Sequence, residues 1–124
     1  ISQIPSAYLY EQYDKNVSYE EPIVNNRPKS TTIKMAAQAI RSGDKAKALS
    51  YFTADIQQAV KYTINFLNQE GRFVLGNIMS NARLVESSEN KKKYTSEVYF
   101  NGDKILIDFY VEKQEDGQWL LTNL

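Results

Sequence analysis

A carboxylate set among apolar residues is the nearest this chain comes to a chemical motif. Asp108 lies inside the run Lys104-Ile-Leu-Ile-Asp-Phe-Tyr-Val111. An acid in such surroundings can act as a general base when a substrate proton comes within hydrogen-bond reach. With Arg83 and Glu97 as neighbours on the outward side of a sheet, the same residue makes an ordinary cross-strand charge pair, and the pattern favours that pairing. Asp55 could stand at a pocket mouth, but an acid in the first turn of a helix already meets the helix dipole favourably. Lys91-Lys92-Lys93 could touch an anion and reads better as a solvated turn. Asn16-Val17-Ser18 has the pattern of a glycosylation acceptor, which counts only in a secreted eukaryotic protein. There is no Gly-rich phosphate loop and no carboxylate pair at a known spacing.

Composition removes further chemistries. The chain has no histidine and no cysteine. Missing with them are the commonest acid/base group at neutral pH, the usual nitrogen and sulfur metal ligands, and a disulfide framework. No cofactor and no metal are therefore expected. Fifteen basic residues balance fifteen acidic ones. A nucleic-acid binder carries a basic excess, so no nucleic-acid partner is expected. No apolar run approaches the roughly 20 residues of a membrane span. The sequence starts at Ile1. This is expected of an exported protein, periplasmic or at the cell surface, after loss of a signal peptide or anchor; a trimmed cytoplasmic chain is the other reading.

The elements that must position any site divide the 124 residues into an arm, 1–29, and one domain, 30–124. All three prolines fall in the arm, with Tyr8, Tyr10, Tyr13 and Tyr19. So many aromatics suit a segment that docks on a surface better than a plain linker. Helices are expected near 31–42, 44–52 and 54–69. Ser30 or Thr31 caps the first, and Ile33, Ala36, Ala37 and Ile40 form its apolar face. Gly43 ends it and Asp44 caps the next. Thr53 caps the third, whose stripe is Ile56, Val60, Thr63, Ile64 and Leu67, and Gly71 closes it. The chain then reads as extended from Phe73 to Glu86, followed by a polar connection to Lys93.

Three β-rich runs complete the chain: 94–100, 104–111 and 118–123. Asn101-Gly102-Asp103 and Glu115-Asp116-Gly117 separate them. Asn-Gly favours the primed turn of a tight hairpin, so the runs form an antiparallel meander. Helices followed by a meander give an α+β domain with the helices on one sheet face. Alternation puts Ile78, Ala82, Leu84, Val98, Phe100, Ile105, Ile107, Phe109, Val111, Trp119 and Leu121 toward the helices. Only Ser80 and Ser96 add polarity there, and Trp119 is expected in the core. Tyr99, Leu106, Tyr110 and Leu120 fall on the other face, beside Arg83, Thr95, Glu97 and Asp108. That face is more apolar than a solvated one needs to be. Tyr99, Leu106, Tyr110 and Leu120, with Tyr8, Tyr10 and Tyr13 of the arm, are the interface candidates.

The stretch Ala39-Ile-Arg-Ser-Gly-Asp-Lys-Ala-Lys-Ala-Leu-Ser-Tyr-Phe-Thr53 and the close Gly117-Gln-Trp-Leu-Leu-Thr-Asn-Leu124, in this order of elements, resemble the nuclear transport factor 2-like superfamily, in particular its small exported bacterial members. The resemblance covers about residues 30–124. It implies the cystatin-like cone shared with ketosteroid isomerase and SnoaL-type proteins, in which helices pack into a strongly curved antiparallel sheet. Catalytic members place Asp, Tyr or His inside the cone, and no such position can be matched here. The resemblance therefore implies a non-catalytic interaction or ligand-binding domain, dimerising through the outer sheet face or binding another protein or a small apolar ligand. A small isomerase or dehydratase using Asp and Tyr, and an accessory or immunity protein blocking one partner, are the alternatives.

Overall fold

The computed structural model describes residues 27–124. Ser30 opens α1 (Thr31–Ser42): its hydroxyl accepts the Ile33 amide at 3.0 Å, which satisfies one of the amides a helix start leaves unpaired. Ile33, Ala36, Ala37 and Ile40 are buried on one side. Gly43 ends the helix with φ 79°, a left-handed conformation that costs a Cβ-bearing residue energy. Asp44 accepts the Lys47 amide and starts α2, a short helix over Lys45–Leu49. Beyond it the backbone turns and meets the end of the chain. Phe52 bridges Leu121 in parallel, with Thr53 N–H to Leu121 O at 2.9 Å and Leu121 N–H to Tyr51 O at 2.8 Å. A single 3₁₀ turn, Ala54–Ile56, leads into α3 (Gln57–Phe66).

At this point the chain departs from the expected pattern. The expected helix 54–69 stops at Phe66, and 73–86 is not one extended run. A fourth helix, α4, spans Gln69–Ser80. Asn68 accepts the Gly71 amide at 2.8 Å and caps it, and Glu70 lies in its first turn. Gly71 is thus inside a helix start and not past a helix end. Ile78 and Ser80 belong to α4, so the strand alternation assigned to them does not hold. Met79 and Gly76 are buried, and Ile78 and Leu75 are partly so, the 3–4 spacing of an amphipathic helix.

Four strands follow: β1 (Arg83–Ser87), β2 (Lys91–Phe100), β3 (Asp103–Lys113) and β4 (Trp119–Leu121). They form one antiparallel meander, in the order β1-β2-β3-β4. Lys91–Lys93 start β2 and are not a loop; the turn is only Ser88–Asn90. Asn101 and Gly102 take φ 53° and 84°, the primed hairpin the dipeptide predicts. A bulge interrupts the β1–β2 register between Leu84 and Glu86.

The core lies between the helices and one sheet face. Tyr94, Phe109, Val111 and Leu121 meet Ile33, Ile40, Phe52, Val60, Ile64 and Met79 there. Trp119 is partly buried against this cluster, with the Lys92 ammonium 4.6 Å from its ring centroid. The expected helix-facing position of Phe100 and Ile105 is corrected by their exposure. They share the inner face by register but lie beyond what the helices cover.

Candidate interaction surface

The four strands have very different lengths, and that sets up the site. β2 and β3 pair over ten positions, from Lys91↔Glu112 to Phe100↔Asp103. β1 reaches only Thr95, through Arg83, and β4 covers only Val111–Lys113. Residues 96–107 therefore form a two-stranded ribbon with no third strand beside it among the described residues. Two-stranded ribbons are marginal unless something covers an apolar face. This ribbon ends in large apolar side chains on both faces. Phe100 is 65% exposed and Ile105 40% on the inner side; Leu106 is 58% and Tyr99 54% exposed on the outer side.

The interface residues expected from the sequence are only partly brought together. Tyr99 and Leu106 lie near the tip, opposite Lys104 and Glu97. Tyr110 and Leu120 sit further along the sheet, opposite Lys93 and Glu112. A polar belt separates the pairs. Thr95 Oγ1 donates to Asp108 Oδ1 at 2.7 Å, and Lys93 Nζ stands 3.8 Å from both Asp108 and Glu86. Tyr8, Tyr10 and Tyr13 lie outside the described residues. Phe100 and Ile105 are the members the sequence reading missed. Strict alternation put them with the core, and the differing strand lengths, with their exposure, show that the helices among the described residues do not cover them.

The candidate chemical residues have structural roles. Asp108 takes a hydroxyl from Thr95 and an ammonium from Lys93 across the β2–β3 ladder, the kind of cross-strand pairing the pattern favours. Asp55 lies in the 3₁₀ turn. Lys91 lies 4.0 Å from Glu112. With Lys92 and Lys93 they line an open groove of about 310 Å³ that also holds Glu86 and Tyr110, so its charge is mixed. A second hollow of about 170 Å³ lies by Lys45 and Arg72. Arg72 Nη1 donates to the Leu67 carbonyl at 3.2 Å, and Lys45 Nζ to Asn65 Oδ1 at 2.7 Å. Both cations thus serve the C-terminal end of α3, where the helix dipole favours positive charge. Of the two serines expected in the interior, Ser80 accepts from Arg41 Nη1 at 2.9 Å, and Ser96 Oγ is buried without a hydrogen-bond partner. Among the described residues no group of three or more acidic side chains could hold a metal ion, and no helix is long and apolar enough to cross a membrane.

Burial perturbs the Tyr94 hydroxyl. Desolvation raises the Tyr94 pKa above its ordinary 10.0, and a hydrogen bond with the Ser30 side chain partly opposes this. Tyr94 lies in the core and holds the start of α1 against β2; it does not line the exposed ribbon.

Comparison with protein-family models, with curated proteins and with solved structures returned no match.

Proposed function

We propose that this domain is a non-catalytic interaction module and that its β2–β3 ribbon is the contact surface. The carrying observation is Phe100, Ile105, Leu106 and Tyr99 exposed together on a ribbon that no third strand borders among the described residues. Such edges are templates for adding a strand from another chain. Large aromatic and aliphatic side chains at its tip give the buried area a partner needs. The reading commits to a second copy: two identical ribbons pair about a two-fold axis, each giving the same patch. The cone of the nuclear transport factor 2-like superfamily remains part of the proposal, supported by the helices-then-meander order and by the β1 bulge, which bends a strand.

Light scattering on the wild type and on Leu106→Lys and Phe100→Lys tests this. A concentration-dependent dimer in the wild type, and a monomer with unchanged melting temperature in each variant, is expected. A lysine there places an uncompensated charge in the contact while leaving the helix-facing core intact. A wild type monomeric at every concentration would remove the self-association reading.

A further inference from the structure

We infer that the corner between α3 and α4 is a second contact site and that its partner is an anionic phospholipid surface. Phe66 and Tyr62 enter the bilayer interface, while Lys45 and Arg72 take a lipid phosphate in the hollow beside them. The site belongs to the helical layer and does not depend on the role of the ribbon.

The helix α3 is apolar on two sides. Val60 and Ile64 are buried in the core. Tyr62 and Phe66 follow each of them by two residues and are 73% and 88% exposed. They stand one turn apart on the outward side, where side chains four residues apart are neighbours. A helix packed on a core needs one apolar stripe, and packing does not account for a second, aromatic one. Clustered exposed apolar side chains mark a contact surface. Past the Asn68 cap, Phe73 and Val74 of α4 are exposed as well.

Charge selects the partner. The hollow of about 170 Å³ is lined by Asn65 and Leu67, which flank Phe66 in the chain, together with Lys45 and Arg72. Among the described residues no carboxylate lines it, and neither cation is in an ion pair. Their printed bonds go to neutral acceptors, the Asn65 amide oxygen and the Leu67 carbonyl, so both keep further N–H donors. Arg72 Nε is buried without an acceptor. Asp44 and Glu70 adjoin the corner in sequence, but Asp44 caps α2, Glu70 lies in the first turn of α4, and neither lines the hollow. A guanidinium and an ammonium converging on one hollow suit phosphate oxygens. Exposed aromatic rings beside such cations match the layering of a bilayer surface, where rings sit at headgroup level and Lys and Arg meet the anionic lipid.

Vesicle sedimentation with the full chain tests this. The protein should pellet with vesicles of equal phosphatidylcholine and phosphatidylglycerol, stay in solution with phosphatidylcholine alone, and detach as salt is raised. Tyr62→Ser combined with Phe66→Ser, and Lys45→Gln combined with Arg72→Gln, should each weaken binding by roughly tenfold or more. The aromatic pair is exposed, so its variant should keep the wild-type Tm, which separates lost binding from lost folding. The absence of cysteine allows one environment-sensitive dye per chain. On Gln69→Cys at the corner its emission should shift to the blue with the anionic vesicles, and on Asp103→Cys at the ribbon tip it should not. No pelleting with anionic vesicles, or a shift at the ribbon tip and not at the corner, would overturn the inference. Inorganic phosphate perturbing the Arg72 amide without any pelleting would assign the hollow to a free anion and overturn the lipid partner. A change in light scattering for the aromatic variant, with no lipid binding by the wild type, would assign the aromatics to a second copy and overturn it too. Leu106→Lys, which tests the ribbon, should pellet as the wild type does, so the two readings fail separately.

Discussion

Gly76 of α4 faces Ala37 of α1 so closely that an added Cβ would stand 3.1 Å from the Ala37 carbonyl oxygen and also run into Arg41 Cγ. This glycine therefore sets the separation of the two helices. Ala36 and Ala37, both fully buried, are the matching small surface on α1. Gly76→Val should push the helices apart or force Arg41 out of its bond to Ser80. Overpacking of this kind costs about 1–3 kcal/mol. For a domain of this size that is a fall in Tm of several degrees, read by calorimetry or circular dichroism. An unchanged Tm would mean that α4 does not approach α1 at Gly76.

Gly102 gives a purely backbone prediction. Its φ is +84° and no atom lies within 4 Å of an added Cβ. Gly102→Ala should then destabilise by about 1 kcal/mol through the left-handed conformation alone. Gly102→Asn should recover part of this, because asparagine tolerates that region. A denaturant titration compares the two. Equal loss in both would point to a contact that the hairpin tip does not show.

Tyr94 predicts the alkaline limit. Burial raises its folded pKa above the unfolded 10.0, so the folded state prefers the neutral phenol. The stability this contributes is complete below pH 10 and is lost as pH climbs through the higher folded value. Tyr94→Phe forgoes the Ser30 bond and should be less stable at pH 7 by about 1 kcal/mol. Its stability should also fall less steeply than the wild type's above pH 10. Parallel alkaline limbs in the two proteins would show that other tyrosines set that limit.

The first helix was legible because each signal in it agreed: Ser30, the 3–4 apolar spacing and Gly43. The Asn101-Gly102 turn was legible for the same reason. α4 was not, because Gly71 reads as a stop while the cap that starts the helix, Asn68, precedes it by only three residues. The run from Phe73 to Met79 is also rich in residues strands favour, and helical packing against α1 overrides that preference. The site was half legible. Periodicity puts Tyr99 and Leu106 outward, but whether Phe100 is covered depends on how far β1, β4 and the helices extend. That is a property of the assembled sheet and not of the alternation within one strand.

Phe100 and Phe109 give the sharpest comparison, since both point to the inner face of neighbouring strands. Phe109 is 2% exposed and Phe100 is 65% exposed. Phe109→Ala opens a cavity under the helices and should cost about 3–5 kcal/mol. Phe100→Ala removes a ring from the ribbon tip and should change the stability of the core by no more than about 0.5 kcal/mol, as at other surface positions. Its effect should appear instead in association, with dimer formation weakened at a concentration where the wild type pairs. Denaturant unfolding and light scattering on the same two variants separate these effects. A large stability loss in Phe100→Ala, with association unchanged, would make the ribbon tip part of the core and leave the interaction surface without its central aromatic.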